Sequence, residues 1–340
     1  MNSISKALPT ACAVIVAALI ASIAITSKPA LAQTKQPIVI RVADEPAAVG
    51  VYGAFWIANL KGYFREDGIT VERHTFANGP AAELDLANGH VDMVMAALLP
   101  HLQAFGGGAP MRIVMSLTKG NTTLVAAKNI TDVKQLDGAS VGSPGIGTIH
   151  DTALSLVENQ HHIKINHVPA KITDLPVMLS KGEIVAFVGW ETVAAQAVLT
   201  VPGAHYLIRQ PVPNNENLEL AVSTTFANQH PQATETVVRD VVKAMKFVEA
   251  CKPQAIKLLA TMMDVPDAEK VLDTAWPQFT LTDPNLNEKS AVQWIKLAVR
   301  DEKLTAAQAK SDPHAFLMSA SDLGFLKKAE ASRIPKPACT

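Results

Sequence analysis

The chain has 340 residues, 48% of them hydrophobic and 18% charged, with 30 basic against 31 acidic side chains. That length supports a large core and about two domains, and the balanced charge excludes the basic face that nucleic-acid binding requires. Aromatic residues make up only 5%, so each one near a site carries more weight than usual.

Residues 1–32 read as a signal peptide. Lys6 gives a positive start, residues 11–25 are an uncharged apolar run, and Pro29 precedes the small-x-small site Ala30-Leu31-Ala32. The run is short for a spanning helix, which needs about 20 residues. Cleavage is expected after Ala32, which places the mature chain in the periplasm. Cys251 and Cys339 then remain, either paired or as one buried and one loose thiol.

Beyond the signal, β-type runs alternate with amphipathic stretches. Strands are expected at 37–43, 70–76, 91–98 and 111–118, with helices at 52–68, 79–90 and 100–107 between them. The alternation then repeats, with strands at 139–144, 164–170, 184–190 and 204–211 around helices at 148–160, 174–183 and 192–200. A run at 218–224 follows, and everything after Pro231 reads as helical. This is an α/β pattern of two lobes, each a mostly parallel sheet with flanking helices. Crossings are expected near 124–129 and 213–220. They assign 33–124 and 221–330, with the C-terminal helices, to one lobe, 125–220 to the other, and 331–340 to a tail.

Several stretches, in this order and spacing, resemble a known family. They are "FWIANLKGYFREDGITVE", "FANGPAAELDLANGHVDM", "DVKQLDGASVGSPGIGT", "LSKGEIVAFVGWETVAAQA" and "FANQHPQATETVVRDVVKAM". The chain is similar to the periplasmic solute-binding proteins of the nitrate/sulfonate/taurine class of ABC importers. Binders of thiamine-pyrimidine precursors belong to the same superfamily. The resemblance covers roughly residues 38 to 330. It implies a type II-like two-lobe binding-protein fold and a ligand of the small organic anion class, or a related solute, held between the lobes. It also implies a membrane permease and an ATPase as partners, and a monomeric chain. A pyrimidine-precursor binder or enzyme of the same fold, and a solute sensor, are the alternatives.

The stretch "SPGIGTIHDT" decides between nucleotide and small-solute chemistry. A phosphate loop would need Gly-Lys-Ser/Thr, and a dinucleotide loop would need glycine where His150 stands. Thr148 and Asp151 instead form a capping box, so a helix starts at Ile149 with Gly145 and Gly147 in the turn before it. Such a helix start can hold an anion on its backbone N–H groups, although Asp151 already brings a negative charge there. The resemblance makes Gly147, Thr148 and Ile149 ligand contacts.

In α/β sheets ligands sit beyond the carboxyl ends of strands. That rule selects Asp44 and Glu45, Asn78-Gly79-Pro80, Ala96-Ala97 and 116–118 in the first lobe. In the second it selects 145–150 with His150, Lys171, and Trp190-Glu191. Tyr52 and Phe55 open the first helix and are expected to face the cleft. Trp190 can stack on a ligand while Glu191 accepts its hydrogen bonds, although Thr192 stands where many relatives carry proline. Asp44, Glu45 and Glu191 facing the cleft together would repel a bare anion, with only Lys171 and a protonated His150 to oppose them. His161, His162 and His167 read as a surface loop, with no acid or cysteine nearby to complete a metal site. No cofactor, no metal and no enzymatic step is expected.

Overall fold

The computed structural model describes residues 37–212 and 215–339; the expected signal peptide lies outside the described residues. The chain runs through β1 (Ile38–Asp44), a 3-10 turn (Pro46–Ala48), α1 (Gly53–Leu60), α2 (Tyr63–Glu66) and β2 (Ile69–Thr75). It continues with α3 (Gly79–Ala87), β3 (Met93–Ala97), α4 (Leu98–Gly106) and β4 (Met111–Gly120). Next come β5 (Thr122–Ala126), β6 (Ser140–Ser143), α5 (Ile149–His161) and β7 (Asn166–Pro169). These are followed by α6 (Leu175–Lys181), β8 (Ala186–Trp190), α7 (Glu191–Thr200) and β9 (His205–Ile208). β10 (Glu216–Ser223) leads into α8 (Thr224–Gln229), α9 (Pro231–Ala250), α10 (Lys252–Ala260) and α11 (Ala268–Ala275). A two-residue strand, β11 (Phe279–Thr280), interrupts the C-terminal region expected to be all helical. The chain ends in α12 (Glu288–Arg300), α13 (Ala307–Ser311), α14 (Pro313–Ser319) and α15 (Gly324–Ala331).

The strands form two sheets, one of six in the order β11-β4-β10-β3-β1-β2 and one of five in the order β7-β6-β8-β5-β9. β1 pairs in parallel with β2 and β3, and β6 with β7 and β8; the interior strands β1, β3 and β8 are mainly apolar, while the edge strands β2 and β7 are largely polar. The parallel character is incomplete. β10 enters the first sheet antiparallel between β3 and β4, and β5 enters the second antiparallel between β8 and β9. These two strands are the ones that carry the chain across.

The first crossing therefore falls earlier than the sequence suggested. Thr122 already pairs with Trp190 in the second sheet, so the chain leaves the first sheet at Gly120-Asn121 rather than at 124–129. Both residues have left-handed backbones, φ +82° and +68°. At Gly120 a Cβ would stand 2.5 Å from the Gln278 carbonyl oxygen, which only glycine avoids. Asn121 is held by side-chain bonds: its amide donates to Asn217 Oδ1 at 3.2 Å, and its Oδ1 accepts the Glu191 N–H at 2.8 Å. Asn217 in turn donates to Thr122 Oγ1 at 2.8 Å, so the outgoing and returning strands are tied where they pass.

α9 lays its apolar face on α1, and α15 packs against α9, which fastens the C-terminal helices to the first sheet. Cys251 and Cys339 are disulfide-bonded, with Cα atoms 5.3 Å apart across 88 residues of chain. The bond pins the tail to the junction of α9 and α10. Reducing it, or replacing both cysteines with serine, is expected to lower stability by on the order of 2–4 kcal/mol. Superimposable denaturant melts with and without dithiothreitol would contradict that.

Candidate functional site

A narrow cleft, with a cavity volume of about 20 Å³ in this closed arrangement, lies between the two sheets. The first sheet supplies Glu45 after β1, Ala48, Val51 and Tyr52 before α1, and Asn78 and Gly79 at the start of α3. Ala97 and Pro100 at the start of α4 and Leu218 on β10 complete that wall. The second sheet supplies Pro144, Thr148 and His150 at the start of α5, and Trp190 at the end of β8; Asn121 closes the base. The parallel strands point their carboxyl ends at this space, as the doubly wound rule requires.

Of the residues expected to contact ligand, Tyr52, Asn78, Gly79, Ala97, Thr148, His150 and Trp190 come together here. The other five lie outside the lining. Asp44 is fully buried beneath it: Arg73 grips both carboxylate oxygens at 2.8 Å, and Trp56 Nε1 donates to one of them at 3.1 Å. Phe55 packs edge-on against Trp56 and tilted against Phe64 in the core. Ile149 is the first core residue of α5, and Gly147 sits in the turn beside Gln103. Glu191 is fully buried behind Trp190, accepting from the Tyr206 hydroxyl at 3.0 Å.

The α5 start folds as its sequence predicts on one side only. Thr148 Oγ1 accepts the Asp151 N–H at 3.2 Å, so the cap is present. Asp151 does not return the bond. Its carboxylate is taken by His167 Nδ1 at 2.8 Å and Lys303 Nζ at 2.7 Å. These partners hold Asp151 below the usual carboxylate range against the opposing pull of burial. Asp151 and Glu158 raise the His167 pKa. The expectation that the histidines lie apart from acids therefore fails at His167. Among the described residues no group of three or more His, Cys, Asp or Glu side chains is arranged to hold a metal.

Contacts across the cleft hold its two walls together. The Ala47 carbonyl accepts from Trp190 Nε1 at 3.2 Å and from Thr192 Oγ1 at 2.9 Å. Thr192, placed where relatives were expected to carry proline, supplies a hydroxyl that proline could not. On the far side Lys303, just past α12, reaches Asp151 on α5.

The polar groups in the cleft are unusual. Burial, with help from the Asp44 charge, pushes the Glu45 carboxyl up to about 8, against the N–H that Gly79 donates to it. Burial pushes His150 down to about 3, and its Nε2 has no hydrogen-bond partner. His150 stacks obliquely on Trp190, ring centres 5.5 Å apart. The protonated His150 expected to offset the acids is thus a neutral ring. Lys171 stands exposed at the start of a 3-10 turn, outside the lining.

Two α/β sheets facing each other across a cleft, joined by paired crossing strands, define the two-lobe binding-protein fold. The structure is similar to that of the nitrate-binding protein NrtA of Synechocystis, with a TM-score of 0.76 at 14% identity over 89% of this chain and 92% of that one. A ligand-binding component of an ABC-type import system from Staphylococcus aureus, solved with zinc bound, gives a TM-score of 0.73 at 15% identity over 87% and 100%. The aliphatic sulphonate binding protein SsuA of Escherichia coli gives 0.66 at 18% identity over 81% and 97%. None of the curated proteins matches this chain. The NMT1/THI5-like family model matches residues 51–255, more than half of the chain, and the protein belongs to that family.

Proposed function

We propose that this protein is the extracytoplasmic solute-binding subunit of an ABC importer. It captures a small solute between its lobes and presents the closed form to a permease and its ATPase. The observation that carries this reading is the cleft at the strand ends, whose opposite walls meet at the Ala47 carbonyl. Closure of that kind buries a solute and needs no covalent step. The structural neighbours named for import systems, nitrate and sulphonate support the same role. The signal-like residues 1–32 fit export to the periplasm with cleavage after Ala32, and the family's monomeric state is carried over with the role.

The test is a thermal-shift screen of alkanesulfonates, taurine, nitrate, bicarbonate, aromatic carboxylates, pyrimidines and amines. A ligand that binds only the folded state raises the melting temperature saturably. Trp190 is 5% exposed and packed in the core, so alanine there would cost stability and confuse the result. Trp190→Phe with Thr192→Val keeps an aromatic ring in the core, truncates far less than alanine would, and removes both bonds to Ala47. For a ligand found in the screen, this pair is expected to weaken binding roughly tenfold, since two modest hydrogen bonds hold the closed form. Silence across the whole panel would count against solute capture itself.

A further inference from the structure

We propose that Lys303 is a latch that holds the two lobes closed, gripped by the first lobe at its carbonyl and by the second at its ammonium. This rests on the closure invoked in the solute-capture reading above and names the residue that sets how firmly the lobes stay shut.

The backbone of Lys303 moves with the first lobe. At the head of α12, Ser290 Oγ accepts the Glu216 N–H at 2.9 Å, and the Glu216 carboxylate accepts the Asn287 N–H. Glu216 opens β10, so α12 is fixed to the first sheet at that end. At its tail, Glu302 takes a left-handed backbone, φ +55°, and the Lys303 N–H turns back to the Ala298 carbonyl at 2.8 Å. A residue with a Cβ is strained there, and the turn delivers Lys303 to α4. Gln103 Nε2 on α4 donates to the Lys303 carbonyl at 2.9 Å.

The side chain belongs to the second lobe. Lys303 Nζ crosses to α5, meeting Asp151 Oδ2 at 2.7 Å and Ser155 Oγ at 3.4 Å. The receiving carboxylate is itself anchored. Its other oxygen is held by His167 Nδ1 of β7 at 2.8 Å, and His167 Nε2 lies 3.3 Å from Glu158 Oε2. His167 is thus a positioning residue for Asp151. The Lys303 and Asp151 side chains are only 13% and 5% exposed, so water and salt weaken the pair far less than a surface pair. Among the described residues it is the one ion pair that joins the two lobes.

The grip falls where the mouth must part. Asp151 follows His150, and Thr148 and His150 line the cleft together with Pro100 of α4. Moving α5 away from α4 to admit a solute pulls Asp151 from Lys303, because α4 keeps hold of the Lys303 carbonyl. Gln103 also faces the approach to α5, since a Cβ on Gly147 would stand 3.7 Å from its Nε2. The other seam, at the Ala47 carbonyl, is made of neutral hydrogen bonds. Lys303 therefore supplies the charged fastening, and its loss shifts the population toward open lobes.

The experiment is small-angle X-ray scattering of the full chain and its variants with no solute added. The parent profile should match the closed structure. Lys303→Met keeps the length of the side chain without its charge, and its radius of gyration should exceed the parent's. Lys303→Arg keeps a cation within reach of Asp151 and should return the parent profile. Gln103→Leu cuts the first lobe's hold on the Lys303 carbonyl with every charge left in place. It should expand the molecule in the same direction, and it decides the matter alone if Lys303→Met does not fold. A Lys303→Met profile superimposable on the parent's would overturn the latch, as would equal expansion in Lys303→Arg. Such a result removes the latch alone, whereas solute capture falls only with a silent thermal-shift screen.

Discussion

Replacing Arg73 with leucine is expected to destabilise the protein by about 3–5 kcal/mol, more than any surface ion pair could contribute. Asp44 is fully buried at the end of β1, and Arg73 on β2 binds both of its oxygens. Burial alone raises the Asp44 pKa, and it outweighs the lowering by the Arg73 bonds, its charge and Trp56. Without arginine nothing but the Trp56 indole would oppose burial, and the carboxyl would have to take up a proton to stay folded. The guanidinium also lies 4.8 Å over the Trp56 ring, so packing is lost with the charge. Denaturant melts at neutral pH measure the cost, and Asp44→Asn in the Arg73→Leu background should return part of it. A loss under about 1 kcal/mol would show that the pair behaves as a surface pair.

Glu45→Gln is expected to stabilise the ligand-free protein in alkali and to leave it nearly unchanged in acid. The folded-state pKa of Glu45 is about 8, above the ordinary 4.5. The folded chain thus keeps a proton that the unfolded chain releases. Stability from this group is full below pH 4.5 and is lost as pH rises through 8. The loss has an upper bound of about 5 kcal/mol. Glutamine fills the same space with no charge to bury. Burial likewise raises Glu191, Glu216 and Glu219, so the variant removes only one of several alkaline penalties. His150 has the opposite sign: held near 3, it costs stability as pH falls from 6.5. Thermal melts of variant and parent at pH 5 and pH 9 check the sign, and an equal difference at both values would refute it.

How far the site could be read from sequence depends on strand direction. Strand ends of the parallel type led to Asn78, Gly79, Ala97, Thr148, His150 and Trp190, all of which line the cleft. Asn121 and Leu218 were missed, and both sit near the amino ends of β5 and β10. Those strands run antiparallel to their neighbours, so a rule about carboxyl ends cannot find them. Placing the first crossing at 124–129 also hid Asn121 inside the wrong segment. Asp44 and Glu45 show a second limit. Successive residues leaving a strand point to opposite sides, and nothing local told which faced the cleft. Only the arrival of Arg73 from β2, at a separation of 29 residues, assigned Asp44 to the interior. The turn chemistry of Thr148 was legible because a cap is local. The departure of Asp151 toward Lys303 was not, because it spans 152 residues.

The two crossings also set an order of assembly. The second sheet is built from one continuous stretch, β5 to β9, and needs nothing that follows residue 208. The first sheet is different, because its interior strand β10 arrives only after that stretch has been made. As the chain emerges amino end first, β3 and β4 must wait with unpaired edges until residues 216–223 are available. The later lobe in the sequence is thus free to fold first, and the earlier one is completed around it. Its last fastening is the Cys251–Cys339 bond, whose second cysteine appears 88 residues after the first.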